Sequence, residues 1–250
     1  MSYALRTLKL SKSFGGIAAN SDIDLTLPLG ARHALIGPNG AGKTTFINLL
    51  TGVFPPSSGE VYLGEERITS LPQHERVKRG VTRTFQLNTL FPGLTVLESV
   101  VLAVCERKGL TRVWRETVAQ RHEEIEEARG LLGRLLLQPD AGTVIRHLPY
   151  GKQRLVEIAL ALATGPKILL LDEPAAGIPS HESSELFNVI AQLPRDVSIL
   201  LIEHDMDIVF RFAERITVLA GGRLLAEGAP KEIAADARVR EVYLGEGDHG

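Results

Sequence analysis

The chain has 250 residues, 44% hydrophobic and 23% charged, with a formal net charge of -2. This suits a globular protein with a sizeable buried core and offers no global basic field for nucleic acid. No repeat at a fixed period is present, which excludes a solenoid or low-complexity chain.

Uninterrupted apolar runs such as Ile168 to Leu171 and Ile199 to Ile202 fall far short of the roughly 18 residues that span a bilayer. Any membrane crossing is therefore expected from another chain. Residues 1–10 carry Arg6 and Lys9 and lack an apolar core with a small-residue cleavage site, so they do not read as a secretory signal. The single cysteine, Cys105, excludes an intramolecular disulfide, fits a reducing compartment and reads as a small buried hydrophobe.

In chain order, Ala4 to Leu10, Asp22 to Leu27, Arg32 to Ile36 and Glu60 to Leu63 read as short strands. A helix is predicted from Lys43 to Thr51, stopped by Gly52 and then Pro55-Pro56. From Leu97 to Leu137 the pattern turns helical, and the charge-dense stretch Arg115 to Arg129 reads as a solvated helix face. A strongly apolar helix runs from Gly151 to Thr164, where Pro166 forces its end. Strand (Ile168 to Leu171), helix (Ser180 to Leu193), strand (Ser198 to Ile202) and helix (Met206 to Ala213) follow, the pattern of parallel α/β layering. A hairpin is predicted from Ile216 to Ala220, through Gly221-Gly222, to Arg223 to Glu227, with short helices after Pro230. The coarse reading is an α/β nucleotide-binding core holding an inserted helical lobe over residues 88–165.

Two motifs carry chemistry. Gly37-Pro38-Asn39-Gly40-Ala41-Gly42-Lys43-Thr44 matches G-x-x-x-x-G-K-[ST] between an apolar strand and a helix. Phosphate oxygens need convergent N–H donors, so glycines must let the backbone approach, and the helix N-terminus adds its positive dipole end. Lys43 supplies a point charge to the β and γ phosphates, the Thr44 hydroxyl suits Mg²⁺, and the contact run extends to Thr45. The second motif is the strand end Leu171-Asp172-Glu173: Asp172 suits the Mg²⁺ shell, and Glu173 suits activation of the attacking water.

With these motifs in this order, nearly the whole chain resembles the ATP-binding cassette subunits of membrane transporters. The resemblance implies a P-loop NTPase core with an antiparallel β subdomain and an inserted helical subdomain, together one domain over residues 1–250. It implies ATP and Mg²⁺ as ligands. Phe14, before Gly15-Gly16, resembles the aromatic that stacks on adenine, with a core phenylalanine as the rival reading. Gln86 resembles the hinge glutamine that reaches Mg²⁺ and the attacking water, and His204 the switch histidine that senses the γ-phosphate.

Leu148-Pro149-Tyr150-Gly151-Lys152-Gln153-Arg154 stands where the family carries L-S-G-G-Q, which caps the γ-phosphate held by a second subunit. Hydrolysis is thus expected to require a dimer, with Pro149, Tyr150, Gly151 and Lys152 as the cross-subunit nucleotide contacts. Pro149 replaces the serine and Tyr150 a glycine, so Gly151 and the helix dipole are expected to carry more of the phosphate contact. Pro174 to Pro179 also lacks the acid that the family commonly places after the glutamate.

Tyr150-Gly151 in the altered signature, Pro174-Ala175-Ala176-Gly177, Glu203-His204-Asp205-Met206 and Tyr243-Leu244-Gly245-Glu246 together narrow the resemblance to ATPases of branched-chain amino acid importers. Lipopolysaccharide-export and urea or amide transporters are the neighbouring alternatives, and a soluble ABC ATPase of translation or DNA repair is a further one. The implied partners are transmembrane permease subunits, a second ATPase subunit (identical or paralogous) and an extracytoplasmic solute-binding protein, without nucleic acid. The implied location is peripheral, at the cytoplasmic face of the inner membrane. The segment Leu87 to Leu97, beside the hinge, is the expected permease contact.

Overall fold

The computed structural model describes residues 3–84, 91–110 and 121–244. The chain begins with β1 (Tyr3–Phe14), β2 (Ile17–Ile23), β3 (Thr26–Pro28), β4 (Arg32–Ile36), α1 (Lys43–Thr51), β5 (Ser58–Leu63) and β6 (Glu66–Arg67). Next come α2 (Gln73–Arg79), β7 (Val81–Arg83), α3 (Val96–Arg107), α4 (His122–Arg134) and α5 (Tyr150–Ala163). The C-terminal part alternates β8 (Ile168–Asp172), α6 (Ser180–Ala191), β9 (Ser198–Ile202) and α7 (Met206–Phe212), then β10 (Arg215–Ala220), β11 (Arg223–Gly228), α8 (Pro230–Ala235) and α9 (Ala237–Leu244).

The apolar strands pair in the order β11-β10-β4-β9-β8-β7, parallel throughout except for the β10–β11 hairpin. A second, antiparallel sheet runs β2-β1-β5-β6, with β3 also on β1. The period-2 alternation of side chains divides the core in two. Ala34, Ile36, Leu169, Leu171, Ile199 and Leu201 face one cluster with α3, α5, α6 and α7. Leu35, Ile168, Leu170, Leu200 and Ile202 face the other, with α1 and the antiparallel sheet. Both faces being buried, these strands read as continuous apolar runs.

The predicted bounds of α1, β4 and β9 agree with the structure. The run predicted from Asp22 to Leu27 as one strand is instead two. Asp24 leaves the ladder to accept the Lys9 backbone N–H at 2.7 Å, and Leu25 N donates to the Thr7 hydroxyl at 2.9 Å. The break lets β2 pair with the far half of β1 while β3 pairs with the near half. Neither α2 nor β7 is expected from the sequence, because α2 carries a single apolar residue, Val77, and β7 has only three residues, so neither shows a periodic pattern. The charge-dense stretch is described only from Arg121, and there Glu124 is buried, accepting from Lys108 Nζ at 2.9 Å rather than facing solvent. Cys105 is buried, and burial raises its thiol pKa, as a packed small residue requires.

Two buried basic side chains act on the core in opposite charge states. Arg76, on α2, donates to the carbonyls of Leu49 and Leu50 at 2.6 and 2.9 Å and to Thr69 and Leu71 at 2.7 and 2.9 Å. It therefore satisfies the last carbonyls of α1 where helix termini otherwise lack partners. Burial lowers its pKa to about 10, so it stays charged near neutrality.

His33, on β4, behaves oppositely. Thr217 Oγ1 donates to Glu227 Oε2 at 3.0 Å, so the 2.8 Å contact of Thr217 with His33 Nε2 is a donation from the ring. Burial lowers the imidazole pKa to about 4, with Glu227 opposing and Arg215 adding to the shift. An unfolded histidine takes its proton near pH 6.5, whereas the buried ring waits until about 4. Stability present above pH 6.5 is therefore lost as pH falls towards 4, about 2 kcal/mol of it between pH 7 and pH 5. Urea unfolding at both pH values checks this: His33→Gln, whose amide can donate to Thr217, should reduce the acid loss by about that amount. An unchanged acid loss refutes it.

Candidate active site

The phosphate loop and the loops carrying Glu173 and His204 leave the C-terminal ends of the parallel strands β4, β8 and β9, where open α/β sheets bind ligands. After β4, Gly37 has φ 150°, and a Cβ there would lie 2.2 Å from the Leu219 carbonyl oxygen. Gly42, the N-cap of α1, has φ 95°, and a Cβ would lie 2.5 Å from Ala19 O and Asn20 Nδ2. Only glycine combines that backbone conformation with so close an approach. Asn20 Nδ2 donates to Gly42 O at 3.2 Å, Gly222 N to Ala41 O at 3.1 Å, and Ser21 N to Gly222 O at 2.8 Å. β2 and the β10–β11 turn thus brace the loop from outside.

Lys43 is buried, and its ammonium donates to the Gly37 and Pro38 carbonyls at 2.5 and 2.9 Å. Residues Asn39 to Thr45 line a cavity of about 430 Å³ whose other walls are Ile17 to Ala19, Gly221, Gly222, Glu173 and His204. The structure therefore joins the phosphate loop to Glu173 and His204, as expected from the sequence.

Glu173 follows β8 with φ 48°, an uncommon conformation for a non-glycine residue and one that concentrates at functional sites. Its N–H donates to Ile202 O at 2.9 Å, and its carboxylate Oε1 accepts from His204 Nε2 at 2.6 Å. Glu203 supports both loops: Oε1 accepts from Ala175 N at 3.0 Å and Oε2 from His204 N at 3.1 Å. It is buried, and that burial pushes its carboxyl pKa up. Asp172 does not line the cavity; its Oδ2 accepts from Arg83 Nη2, while Arg83 Nη1 donates to Asn48 Oδ1 at 2.9 Å. Sequence reasoning assigned nothing to Arg83, because its strand is too short to stand out.

Phe14 is 49% exposed, which removes the core reading for its ring. It meets Phe54 edge to face at 5.4 Å, and the Lys12 ammonium lies 5.2 Å from its centroid. Gln86 lies outside the described residues.

Pro149 caps α5, and Tyr150 begins it. Gly151 N donates to Glu182 Oε2 at 3.2 Å, and Lys152 Nζ pairs with Asp140 at 2.7 and 2.9 Å. None of these four residues lines the phosphate cavity, so a single chain does not bring its signature to its own phosphate loop. Tyr150 accepts through its hydroxyl from Arg154 Nη2 at 3.0 Å, and Arg154 Nη1 donates to Glu157 at 2.9 Å. Gly177, with φ 77°, packs so that a Cβ would be 3.6 Å from the Tyr150 hydroxyl. The loop after Glu173, which lacks an acid, thus rests on the aromatic ring that replaces the family's glycine.

Residues 20–176 match the family described as ABC transporter, and residues 223–249 match branched-chain amino acid ATP-binding cassette transporter. The chain is 41% identical over 244 residues to the high-affinity branched-chain amino acid transport ATP-binding protein LivG of Salmonella typhimurium, covering 95% of this chain and 96% of that protein. It is 38% identical to the corresponding protein BraF of Pseudomonas aeruginosa, with the same coverage. Among solved structures, the ADP conformation of MJ1267, an ATP-binding cassette of an ABC transporter, superimposes with a TM-score of 0.85 at 32% identity, over 98% of this chain and 99% of that one. The dimeric cassette MJ0796 gives 0.73 at 27% identity, over 90% and 98%. With this fold, this phosphate loop and these relatives, the chain belongs to the ABC transporter ATPases, in the branch of the LivG and BraF transport ATP-binding proteins.

Proposed function

We propose that the protein hydrolyses ATP to energise uptake of branched-chain amino acids, with the residues above in the following roles. The observation that carries the chemistry is the Glu173–His204 pair facing the phosphate loop across one cavity. The substrate class rests on what the LivG and BraF proteins are named for.

Backbone N–H groups of the loop from Gly37 to Thr45 and the Lys43 ammonium hold the ATP phosphates, and Phe14 stacks on the adenine. Lys43 must exchange its two loop carbonyls for phosphate oxygens. Glu173 accepts a proton from the water that attacks the γ-phosphorus as the bond to the β-phosphate oxygen breaks, and His204 fixes the carboxylate's direction. Mg²⁺ is commonly bound by one or two carboxylates together with phosphates and waters, so Asp172, with the Thr44 hydroxyl and Gln86, would hold it beside the ATP phosphates. When bound, the ion would neutralise charge on the β and γ phosphate oxygens.

The separation of Pro149 to Lys152 from the cavity supports a second subunit, identical or paralogous, whose signature completes the site; the dimeric MJ0796 cassette is the precedent. Gly151 N–H would then leave Glu182 for the partner's γ-phosphate. Lys152, paired with Asp140, acts through that first turn of α5 only if the pair opens. ATP thus favours the closed dimer because it binds that state better. The helical lobe, residues 88–165 of one ATPase domain, turns relative to the core and moves permease subunits docked along 87–97. Phe91 is exposed there, while residues 87–90 lie outside the described ones. No described helix is long and apolar enough to cross a membrane. In this reading the permease subunits supply the membrane path, the ATPase docks on them at the cytoplasmic face, and an extracytoplasmic binding protein completes the system.

Gentle purification from native membranes followed by mass spectrometry tests the transport assignment. Multispanning permease subunits are the expected companions. Recovery with ribosomal or DNA-associated partners, or with none, overturns transport and leaves the ATPase chemistry standing.

A further inference from the structure

We infer that Glu203 is a positioning residue for hydrolysis: its buried carboxylate ties the loop carrying Glu173 to the loop carrying His204 and sets how closely that pair meets. This deepens the reading of Glu173 as the base and rests on it.

β8 and β9 pair up to Asp172 opposite Ile202, and the last backbone bond between them is Glu173 N to Ile202 O at 2.9 Å. Beyond it Pro174 has no N–H to offer, so the ladder stops. Glu203 continues it with a side chain, one oxygen accepting from Ala175 N at 3.0 Å and the other from His204 N at 3.1 Å. The group is only 5% exposed, and a buried carboxylate is retained where donors compensate its lost hydration. Both loops are therefore clamped on either side of the 2.6 Å contact between Glu173 and His204. A carboxylate suits this task because both of its oxygens accept, whereas an amide would turn an NH₂ towards one of two backbone N–H groups. The same clamp makes the loop after Glu173 and the loop after β9 move as one body.

Glu203→Gln and Glu203→Asp test this in the full chain, each also combined with Glu173→Gln. Steady-state turnover, KM for ATP and melting temperature are measured for the single variants, and single-turnover hydrolysis for the double variants. The expected result is a fall in kcat of about tenfold or more in both single variants, with KM within about threefold, the mispaired buried group lowering the melting temperature by only a few degrees so that both variants stay folded in the assay. No further loss is expected on the Glu173→Gln background, because residues acting as a unit are non-additive. Wild-type kcat in either folded single variant overturns the inference, as does a loss that multiplies undiminished on the Glu173→Gln background. If Glu173→Gln alone turned over like the wild type, the base assignment would fall separately.

Discussion

Replacing Glu173 by Gln leaves ATP binding intact, lowers kcat by about a hundredfold or more, and accumulates a nucleotide-bound dimer. The substitution is isosteric and keeps a side chain able to tolerate the φ of 48°, so the loop and its bond to Ile202 O persist. What disappears is the capacity to take a proton from water, because an amide oxygen is a far weaker base than a carboxylate. His204 still finds an acceptor at that position, so the γ-phosphate contacts are retained while the chemical step stalls. ATP then continues to bridge the phosphate loop of one subunit and the signature helix of the other. Turnover assays together with size-exclusion chromatography in ATP check both halves. Wild-type turnover in this variant excludes Glu173 as the base.

Lys43→Ala has the second large effect, at binding instead of chemistry. The lysine is buried at the first position of α1, and its ammonium exchanges the Gly37 and Pro38 carbonyls for phosphate oxygens at the same loop. Loss of a charge-assisted contact to phosphate should weaken ATP affinity by about 10- to 100-fold, or about 1.4 to 2.8 kcal/mol. The loop itself should survive, because Asn20 and Gly222 brace it independently of Lys43. Titration with ATP followed by calorimetry measures the affinity. A dissociation constant within twofold of the wild type refutes the assignment, and the contrast with Glu173→Gln separates a binding defect from a catalytic one.

The departures from the family's signature acquire a physical reading from their neighbours. Pro149 caps α5 at an extended backbone conformation that proline adopts readily, so the helix still begins where its N–H groups are presented. Tyr150 is held by Arg154, whose guanidinium also pairs with the buried Glu157, and the ring seats the loop after Glu173 at Gly177. The packing of these two substituted segments is thus reciprocal within one chain. Glu182 at Gly151 N–H places a carboxylate where the resemblance expects the partner's phosphate, consistent with an anion-binding first turn.

What was legible in the sequence was legible for local reasons. The phosphate loop declares itself because glycines at Gly37 and Gly42 are required by backbone conformation and close approach, and the helix behind them begins and ends at glycines that the chain states outright. Strands β4, β8 and β9 stand out because burial on both faces demands an unbroken apolar run, and the loop that follows each one carries residues that line the cavity. The roles of Arg83, Arg76, His33 and Glu203 depended on partners tens of residues away, whose identity no spacing encodes. The same holds for Tyr150 and Gly177, which meet only because α5 packs beside the loop after β8. By itself, then, the sequence determined the phosphate loop, the strand-end acids and the order of elements, since those obey conformational and periodic rules within a few residues. Only the tertiary structure decided which polar side chains are buried and what satisfies them, because a buried charge or carbonyl must find its partner in space rather than along the chain.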